Sequence, residues 1–417
     1  MKLLWFEVTE PSAYVAGGAP IGCWQDSLER IVRTIPNTEL IIAFISEKHS
    51  EVKVIDGVTY VPVLARWSFG ERFFRKYWDV YVEKMLPDAC SIVKKYNPDL
   101  IQVFGTEWPF GQIAIYTDIP VVIHIMGAIV PYNNAAFPPG YSFMDVLWQY
   151  WWSPRKLLEL WRDKRNRKNW EQWERRTWKC VKNYMGRTQW DCSLSRVMHP
   201  ERRYFHVEEA LRPLFITGNK QWHLKGSSKI RLISTGCSTF WKGPDMMLKV
   251  ACILTKLGVD FEWNVVGSMN LSLKQLVENK EGVKFENCHI NLLGFKDSEE
   301  LTDLLCSSTL YVHTAYIENS PNSICEAQCL GVPIISTNVG GISTLVRDGI
   351  DGILVPANDP WQMADAIVQL GTNKERMEIM SRNSFALARD RHDDERIKRQ
   401  LLDAYDAIIN GKKCSLT

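Results

Sequence analysis

Two glutamates, Glu318 and Glu326, stand eight positions apart in Glu318-Asn-Ser-Pro-Asn-Ser-Ile-Cys-Glu326. An apolar run at 310–312 precedes them and a helical pattern at 324–330 follows. The run has the length of a buried strand. Ser320, Pro321, Asn322 and Ser323 are helix-start residues, because Ser or Asn can cap a helix and Pro suits its first turn. Glu318 is therefore expected in a loop above a strand end, and Glu326 about two turns later inside a helix. The backbone N–H groups of a helix start between them can hold a phosphate. Carboxylates that accept hydroxyls on either side of an anion site suit a sugar-nucleotide. The same string also fits a capped helix with two surface acids.

Breaking the bond between an anomeric carbon and a diphosphate builds negative charge on the leaving phosphate. Cations and backbone donors must meet it. Lys242 is the first candidate cation, in the strand-to-helix turn Thr235-Gly-Cys-Ser-Thr-Phe-Trp-Lys-Gly243. Its alternative is a solvated turn lysine. Arg187, in Met185-Gly-Arg-Thr-Gln-Trp-Asp191 at a strand end, is the second. An ion pair with Asp191 or a later carboxylate is its alternative role. Gly340-Gly341 allows a close approach of backbone to a ligand.

The elements that must position these residues alternate between strand-length apolar runs and helical patterns, which predicts α/β layers with parallel sheets. Strands are expected near 2–8, 39–46, 99–105, 121–127 and 184–188, with 52–55 and 58–63 as a hairpin around Asp56-Gly57. A second set follows near 230–236, 262–267, 290–295, 310–313 and 333–337. Helical patterns such as 245–257 and 299–307 fill the gaps. Two Rossmann-like halves result, with a boundary in the polar stretch 212–228. The expected domains are 1–213 together with an amphipathic helix in 395–417, and 214–394. In open α/β sheets ligands bind beyond the carboxyl ends of the strands, so the cleft between the halves is the expected site.

Several classes are disfavoured. With 50 Lys/Arg against 48 Asp/Glu, the whole chain has no general affinity for nucleic acid. The first βα turn reads Ala16-Gly-Gly-Ala-Pro-Ile-Gly22 and lacks Gly-x-Gly-x-x-Gly. The chain has no P-loop, no Asp-x-Asp and no Cys-x-x-Cys among its 11 cysteines, so neither a zinc ribbon nor a resident metal is expected. That many scattered thiols suits a reducing cytoplasm. The N-terminal apolar run breaks too early for a signal peptide, and no run is long enough to span a bilayer.

The run 311–358, with Glu-Asn-Ser-Pro-Asn-Ser-Ile-Cys-Glu-Ala-Gln-Cys-Leu-Gly and Val-Pro-Ile-Ile-Ser-Thr-Asn-Val-Gly-Gly at its heart, resembles the retaining glycosyltransferases of family 4. The bacterial surface-polysaccharide type is meant. The resemblance implies the GT-B fold: two Rossmann-like domains with parallel sheets facing a central cleft, and a last helix that crosses back to the first domain. It implies transfer of a sugar, without a metal or other cofactor, from a nucleoside diphosphate (UDP by family frequency). The acceptor would be a saccharide or lipid-linked saccharide in capsular, exopolysaccharide or lipopolysaccharide assembly. By the same resemblance Glu326 binds the ribose hydroxyls, and Glu318 contacts the donor sugar or stabilises charge near the anomeric centre. Lys242 matches the family's phosphate turn. Asn322 and Ser323 offer backbone N–H groups to the distal phosphate. Gly236, Gly267 and Gly294-Phe295 lie at strand ends on the donor side, and Gly17-Gly18 lie under the diphosphate. Thr106 and Glu107 face the acceptor, with Glu107 binding or activating its hydroxyl or simply forming a loop salt bridge. The family's usual Arg five residues before the Lys is Cys237 here, and its usual His is Met126. Arg187 and His124 are the candidate substitutes, with a core role as the alternative for His124. A GT-B nucleotide-sugar 2-epimerase and an inactive nucleotide-sugar-binding scaffold are the competing readings.

Seven of the 17 tryptophans fall between Trp148 and Trp178, and 151–182 holds eleven Lys/Arg against four Asp/Glu. Trp favours the membrane interface and cations favour anionic head groups. The segment 148–182 is therefore expected either to touch the inner face of the membrane peripherally, or to form a helix whose Trp face packs on the first domain.

Overall fold

The computed structural model describes residues 1–15, 24–65, 68, 70–71, 75–224, 226 and 229–411, so Gly17 and Gly18 lie outside the described residues. The chain divides into two units. The first comprises Met1–Asn133, Pro154–Arg212 and Asp393–Thr417; the second comprises Asn134–Ser153 and Pro213–His392.

The first unit is built on an eight-stranded sheet: β1 (Lys2–Glu7), β2 (Glu39–Ser46), β3 (Lys53–Ile55), β4 (Val58–Leu64), β5 (Leu100–Phe104), β6 (Val121–His124), β7 (Asn183–Gly186) and β8 (Arg203–His206). The order is β3-β4-β2-β1-β5-β6-β7-β8. Only β3 runs antiparallel, paired to β4 across Asp56-Gly57. Both turn residues have positive φ, 48° and 84°, as a tight two-residue hairpin turn requires. A parallel sheet covered on both faces needs apolar residues at every position of a strand. Leu3, Leu4, Trp5 and Phe6 of β1 are all fully buried. Leu3 and Trp5 join one core cluster, and Leu4 and Phe6 join the other.

The C-terminal helix Asp394–Ile409 belongs to this first unit. Ile397, Leu401, Ala404, Tyr405 and Ile408 recur at helical spacing and enter the same core cluster as Trp5. Polar anchors fix its orientation. Arg30 donates twice to Asp394 at 2.7 and 2.9 Å, and the Tyr405 hydroxyl donates to Gln102 at 2.6 Å.

The second unit holds β9 (Ile230–Thr235), β10 (Phe261–Val266), β11 (Ile290–Gly294), β12 (Leu310–His313), β13 (Ile334–Thr337) and β14 (Ile353–Val355). All pairs are parallel, in the order β11-β10-β9-β12-β13-β14. This is the doubly wound order, whose direction of growth reverses between the first and fourth strands, here β9 and β12. A crevice for ligand opens beyond the carboxyl ends at that reversal.

The segment 134–153, placed with the first domain from the sequence, belongs to the second unit. Its side chains explain the allegiance. The Tyr141 hydroxyl donates to Glu281 at 2.7 Å, Gln149 donates to the Ser272 carbonyl at 2.6 Å, and Phe137 and Tyr141 both pack on the Phe240 ring. No helix among the described residues is long and apolar enough to cross a membrane.

Candidate active site

The loops after β9 and β12 meet at the reversal point of the second sheet, and glycines allow them to do so. Gly243 has φ +71°, and a Cβ there would lie 2.0 Å from the Thr314 carbonyl oxygen. The Thr314 hydroxyl donates to the Lys242 carbonyl at 2.9 Å, and the Tyr316 N–H donates to the Trp241 carbonyl at 2.7 Å. Gly340 is equally constrained: φ is +55° and a Cβ would lie 1.8 Å from the Glu318 carbonyl oxygen. The Gly341 N–H donates to that same oxygen at 3.0 Å. The close approach that Gly340-Gly341 permits is thus to the backbone of Glu318 itself.

These constraints bring Lys242 and Glu318 into a direct ion pair. Glu318 is buried, and its partner's side chain is 27 % exposed. Burial opposes ionisation of Glu318, but the Lys242 charge and then His313 outweigh it and hold the carboxyl at about 2. His313, the last residue of β12, has its Nε2 3.7 Å from the same carboxylate oxygen, and burial lowers its own pKa. Sequence reasoning missed His313, although a histidine closing the strand ahead of Glu318 was the available signal.

The helix Asn322–Leu330 follows. Pro321 occupies its cap position and no side chain caps it, a correction to the expectation of a Ser or Asn cap with Pro in the first turn. Proline there leaves the positive end of the helix without a competing side-chain oxygen. Ser320 and Glu326 are both buried, so the two glutamates are not surface acids. Tyr311, whose hydroxyl lies 3.0 Å from Thr235 Oγ1, also bonds Ser323 and so ties β9, β12 and the helix start together. Gly236, Gly267 and Gly294 close β9, β10 and β11. The Gly236 N–H donates to the Val266 carbonyl and the Gly267 N–H to the Gly294 carbonyl, each at 2.8 Å. Phe295 beyond them is exposed. Cys237, in place of the family's arginine, is buried and its thiol is pushed up to about 12 by that burial, so it supplies no charge to the site.

The first unit gathers the other candidates at the carboxyl ends of its own strands. Glu107 folds back over β5 and β6: a Cβ on Gly105 would lie 2.2 Å from one carboxylate oxygen, and one on Gly127 would lie 3.0 Å from the other. Burial and the nearby Glu174 push its carboxyl up to about 7. Trp170 Nε1 fixes its backbone by donating to the Glu107 carbonyl at 2.5 Å. Thr106 does not face an acceptor. It is buried, and its hydroxyl donates to Glu174 at 2.7 Å. Glu174 also accepts the N–H groups of Ile129 and Val130, making it a structural acid.

His124 is fully buried between the rings of Trp24 and Phe104, which is the core role. Burial, reinforced by Arg187, lowers its pKa well below the usual value, so it is neutral. Arg187 is also buried, stacked 4.6 Å over Trp24 with its Nε 3.4 Å from Glu209. Asp191 accepts the backbone N–H groups of Arg187 and Thr188 instead of pairing with the guanidinium. Arg187 Nε and Nη1, His124 Nε2 and Glu7 Oε1 are buried without a hydrogen-bond partner. Glu7, which closes the central strand β1, was not found from the sequence.

Lys242, Glu318, Asn322, Ser323, Glu326 and the strand-end glycines therefore share one unit, and Thr106, Glu107, His124 and Arg187 the other. Among the described residues no group of three or more His, Cys, Asp or Glu is arranged to hold a metal ion.

Residues 229–373 match the family described as glycosyl transferases group 1. The second unit carries a group 1 glycosyl transferase domain. Similarity to curated proteins is concentrated in the same part. A D-inositol 3-phosphate glycosyltransferase of Paenarthrobacter aurescens is 29 % identical over 176 residues, 41 % of this chain and 42 % of that protein. The amylovoran biosynthesis glycosyltransferase AmsK of Erwinia amylovora is 26 % identical over 147 residues, 34 % of this chain and 36 % of that protein. The chain thus spans about two fifths of the length of these relatives. Solved structures match from end to end. Anabaena Alr3699/HepE, in complex with UDP and glucose, superposes with TM-score 0.63 at 15 % identity over 98 % of this chain and all of that one. Sucrose-phosphate synthase from Thermosynechococcus elongatus gives 0.70 at 13 % over 99 % and 100 %. WaaG, a glycosyltransferase involved in lipopolysaccharide biosynthesis, gives 0.61 at 14 % over 98 % and 99 %. The fold is GT-B. Within the group 1 domain the arrangement offers a cation, an ionised carboxylate and a helix start around one crevice, which is what a sugar diphosphate presents to bind.

Proposed function

We propose that the chain is a retaining, metal-independent glycosyltransferase. It moves a sugar from a nucleoside diphosphate, UDP, to a saccharide or lipid-linked saccharide acceptor in the cytoplasmic assembly of a capsular, exo- or lipopolysaccharide. The observation that carries this reading is the ion pair of Lys242 with buried Glu318 at the reversal point of the second sheet. An ammonium has three donors, so Lys242 can hold Glu318 and still reach a phosphate oxygen. As the anomeric carbon–oxygen bond breaks, charge passes to the diphosphate, where Lys242 and the first-turn N–H groups of Asn322 and Ser323 meet it. The acceptor oxygen bonds the anomeric carbon on the same face, and its proton passes to the departing phosphate oxygen. A carboxyl held at about 2 is a poor proton acceptor at neutral pH, so Glu318 stabilises positive charge at the anomeric centre and does not take that proton. Glu326 receives the ribose hydroxyls. Support for the donor comes from the UDP held by the HepE structure, and for the pathway from the roles named for AmsK and WaaG.

Calorimetry with UDP, GDP and ADP in the presence of a chelator tests the proposal. UDP is expected to bind selectively without metal, and Glu326→Ala to weaken it by about 10- to 100-fold, the worth of one hydrogen bond to a charged group. Absence of binding by all three nucleotides would overturn the reading.

A further inference from the structure

Burial divides the helix Pro154–Cys180 into two parts. Its buried residues are Asn166, Asn169, Glu174, Thr177 and Trp178, all in the second part. Two further tryptophans there are also engaged: Trp170 stacks on Trp78 with ring centroids 4.7 Å apart, and Trp173 donates to Asp79 at 2.7 Å. These three tryptophans hold the helix to the first unit, so the packing expectation is met from Asn166 onward and they are not available to a partner.

The stretch ahead of Asn166 is different. Trp148, Trp151, Trp152, Leu158 and Trp161 are 57 to 70 % exposed. Among the described residues only one other tryptophan, Trp361, is as exposed. Large apolar residues scattered singly on a surface are ordinary, but five within 148–161 are a concentration that water alone does not favour. Cations accompany them. From 151 to 168 the chain has seven Lys/Arg and two Asp/Glu. At 100° per residue, Arg155, Leu158, Trp161, Arg162 and Arg165 fall within an arc of about 120° on one side of the helix. The stretch passes from the second unit into the first at Ser153 and Pro154. Chain continuity alone keeps Trp152 and Arg155 within about 11 Å.

We propose that the stretch from Trp148 to Arg165 is a docking surface for an anionic lipid bilayer. The tryptophans sit at the level of the head groups, and Arg155, Arg162 and Arg165 lie against lipid phosphates. Tryptophan is the side chain suited to that depth, since its ring is apolar and its N–H remains hydrogen-bonded. The excess of cations complements a negative surface. A neutral glycan would use the rings without the cations, and a protein partner has no need of tryptophan in particular. This inference stands independently of the transfer reading, because it uses none of the residues assigned to catalysis or nucleotide binding.

The test is co-sedimentation of the full chain with vesicles of phosphatidylcholine, alone or with about one third phosphatidylglycerol. Binding is expected only to the anionic vesicles, and is expected to fall at high salt. Arg155→Gln/Arg162→Gln/Arg165→Gln should weaken it about 100-fold, at about tenfold or less per cation near such a surface. Trp151→Ala/Trp152→Ala/Trp161→Ala should weaken it comparably, while Trp361→Ala should leave it unchanged. None of these side chains is buried, and circular dichroism verifies that each variant is folded. Should the tryptophan variant fail that check, the arginine variant decides alone. The proposal is overturned if the wild type ignores anionic vesicles at low salt, or if folded variants bind as the wild type does. It is also overturned if the tryptophan changes abolish binding of a soluble oligosaccharide and leave vesicle binding intact.

Discussion

Replacing Lys242 by Ala leaves the Glu318 carboxylate in a buried position with its main counter-charge gone. The size of the effect follows from the carboxyl's displacement. An ordinary value of 4.5 lowered to about 2 corresponds to about 3 kcal/mol of stabilisation of the charged form. Breaking a buried pair costs about 3–5 kcal/mol, and the lower end applies because the Lys242 side chain is 27 % exposed. The folded-state pKa lies below the unfolded one, so this stabilisation is complete above pH 4.5 and is lost as pH falls through about 2. Lys242→Ala should therefore be less stable than the wild type by about 3 kcal/mol at pH 7, and the two should converge in acid. Glu318→Gln should cost only about 1 kcal/mol, because the lysine left behind can turn to solvent. The double variant Lys242→Ala/Glu318→Gln should regain most of the loss, since no unpaired buried charge remains. Turnover should not recover. With the cation gone, kcat should fall about 10²- to 10³-fold in both the single lysine variant and the double. Urea unfolding at pH 7 and pH 4, with nucleotide release as the activity assay, covers all of these. A double variant no more stable than Lys242→Ala would refute the electrostatic reasoning, as would a lysine variant of wild-type stability.

Two further outcomes are expected. Gly340→Ala places a Cβ 1.8 Å from the Glu318 carbonyl oxygen at a φ of +55°, so the loop must move. It should lose about 2 kcal/mol or more in urea unfolding and weaken nucleotide-sugar binding by calorimetry, whereas Gly349→Ala, with nothing within 4 Å, should lose only about 1 kcal/mol. Glu107 has a folded-state carboxyl raised to about 7, so its contribution to stability is present below pH 4.5 and is lost as pH rises through 7. Glu107→Gln should therefore be more stable than the wild type at pH 8 and not at pH 4. If Glu107 receives the acceptor hydroxyl, kcat/KM for the acceptor should rise through pH 7 in the wild type and lose that rise in the variant.

Much of the fold was legible because it is written in local patterns. β2 and β12 fall where the apolar runs at 39–46 and 310–313 place them, and the Asp56-Gly57 hairpin follows from turn chemistry. β8 and β14 were not found. Both are edge strands, the first reading Arg-Tyr-Phe-His and the second three residues long, so neither presents the continuous apolar run of a strand buried on both faces. The Trp-rich helix was visible as a helix, but its sequence does not tell which tryptophans have partners. Trp170 and Trp173 are engaged by Trp78 and Asp79, about ninety positions away, and Trp161 is not buried at all.

The candidate site divides in the same way. The sequence by itself determined that Glu318 and Glu326 flank a helix start, because eight positions of chain can place them in few ways. It likewise determined that Lys242 lies in a strand-to-helix turn. Only the tertiary structure decided that Lys242 and Glu318, 76 positions apart, form one pair. Only it decided that His313 stands beside them, that Arg187 turns to Glu209 and not to Asp191, and that 134–153 packs with the second unit. The physical reason is that turn chemistry and periodicity act over a few residues. Charge pairing and burial depend instead on which strands the sheet sets side by side, and here β9 and β12 are neighbours only because the sheet reverses between them.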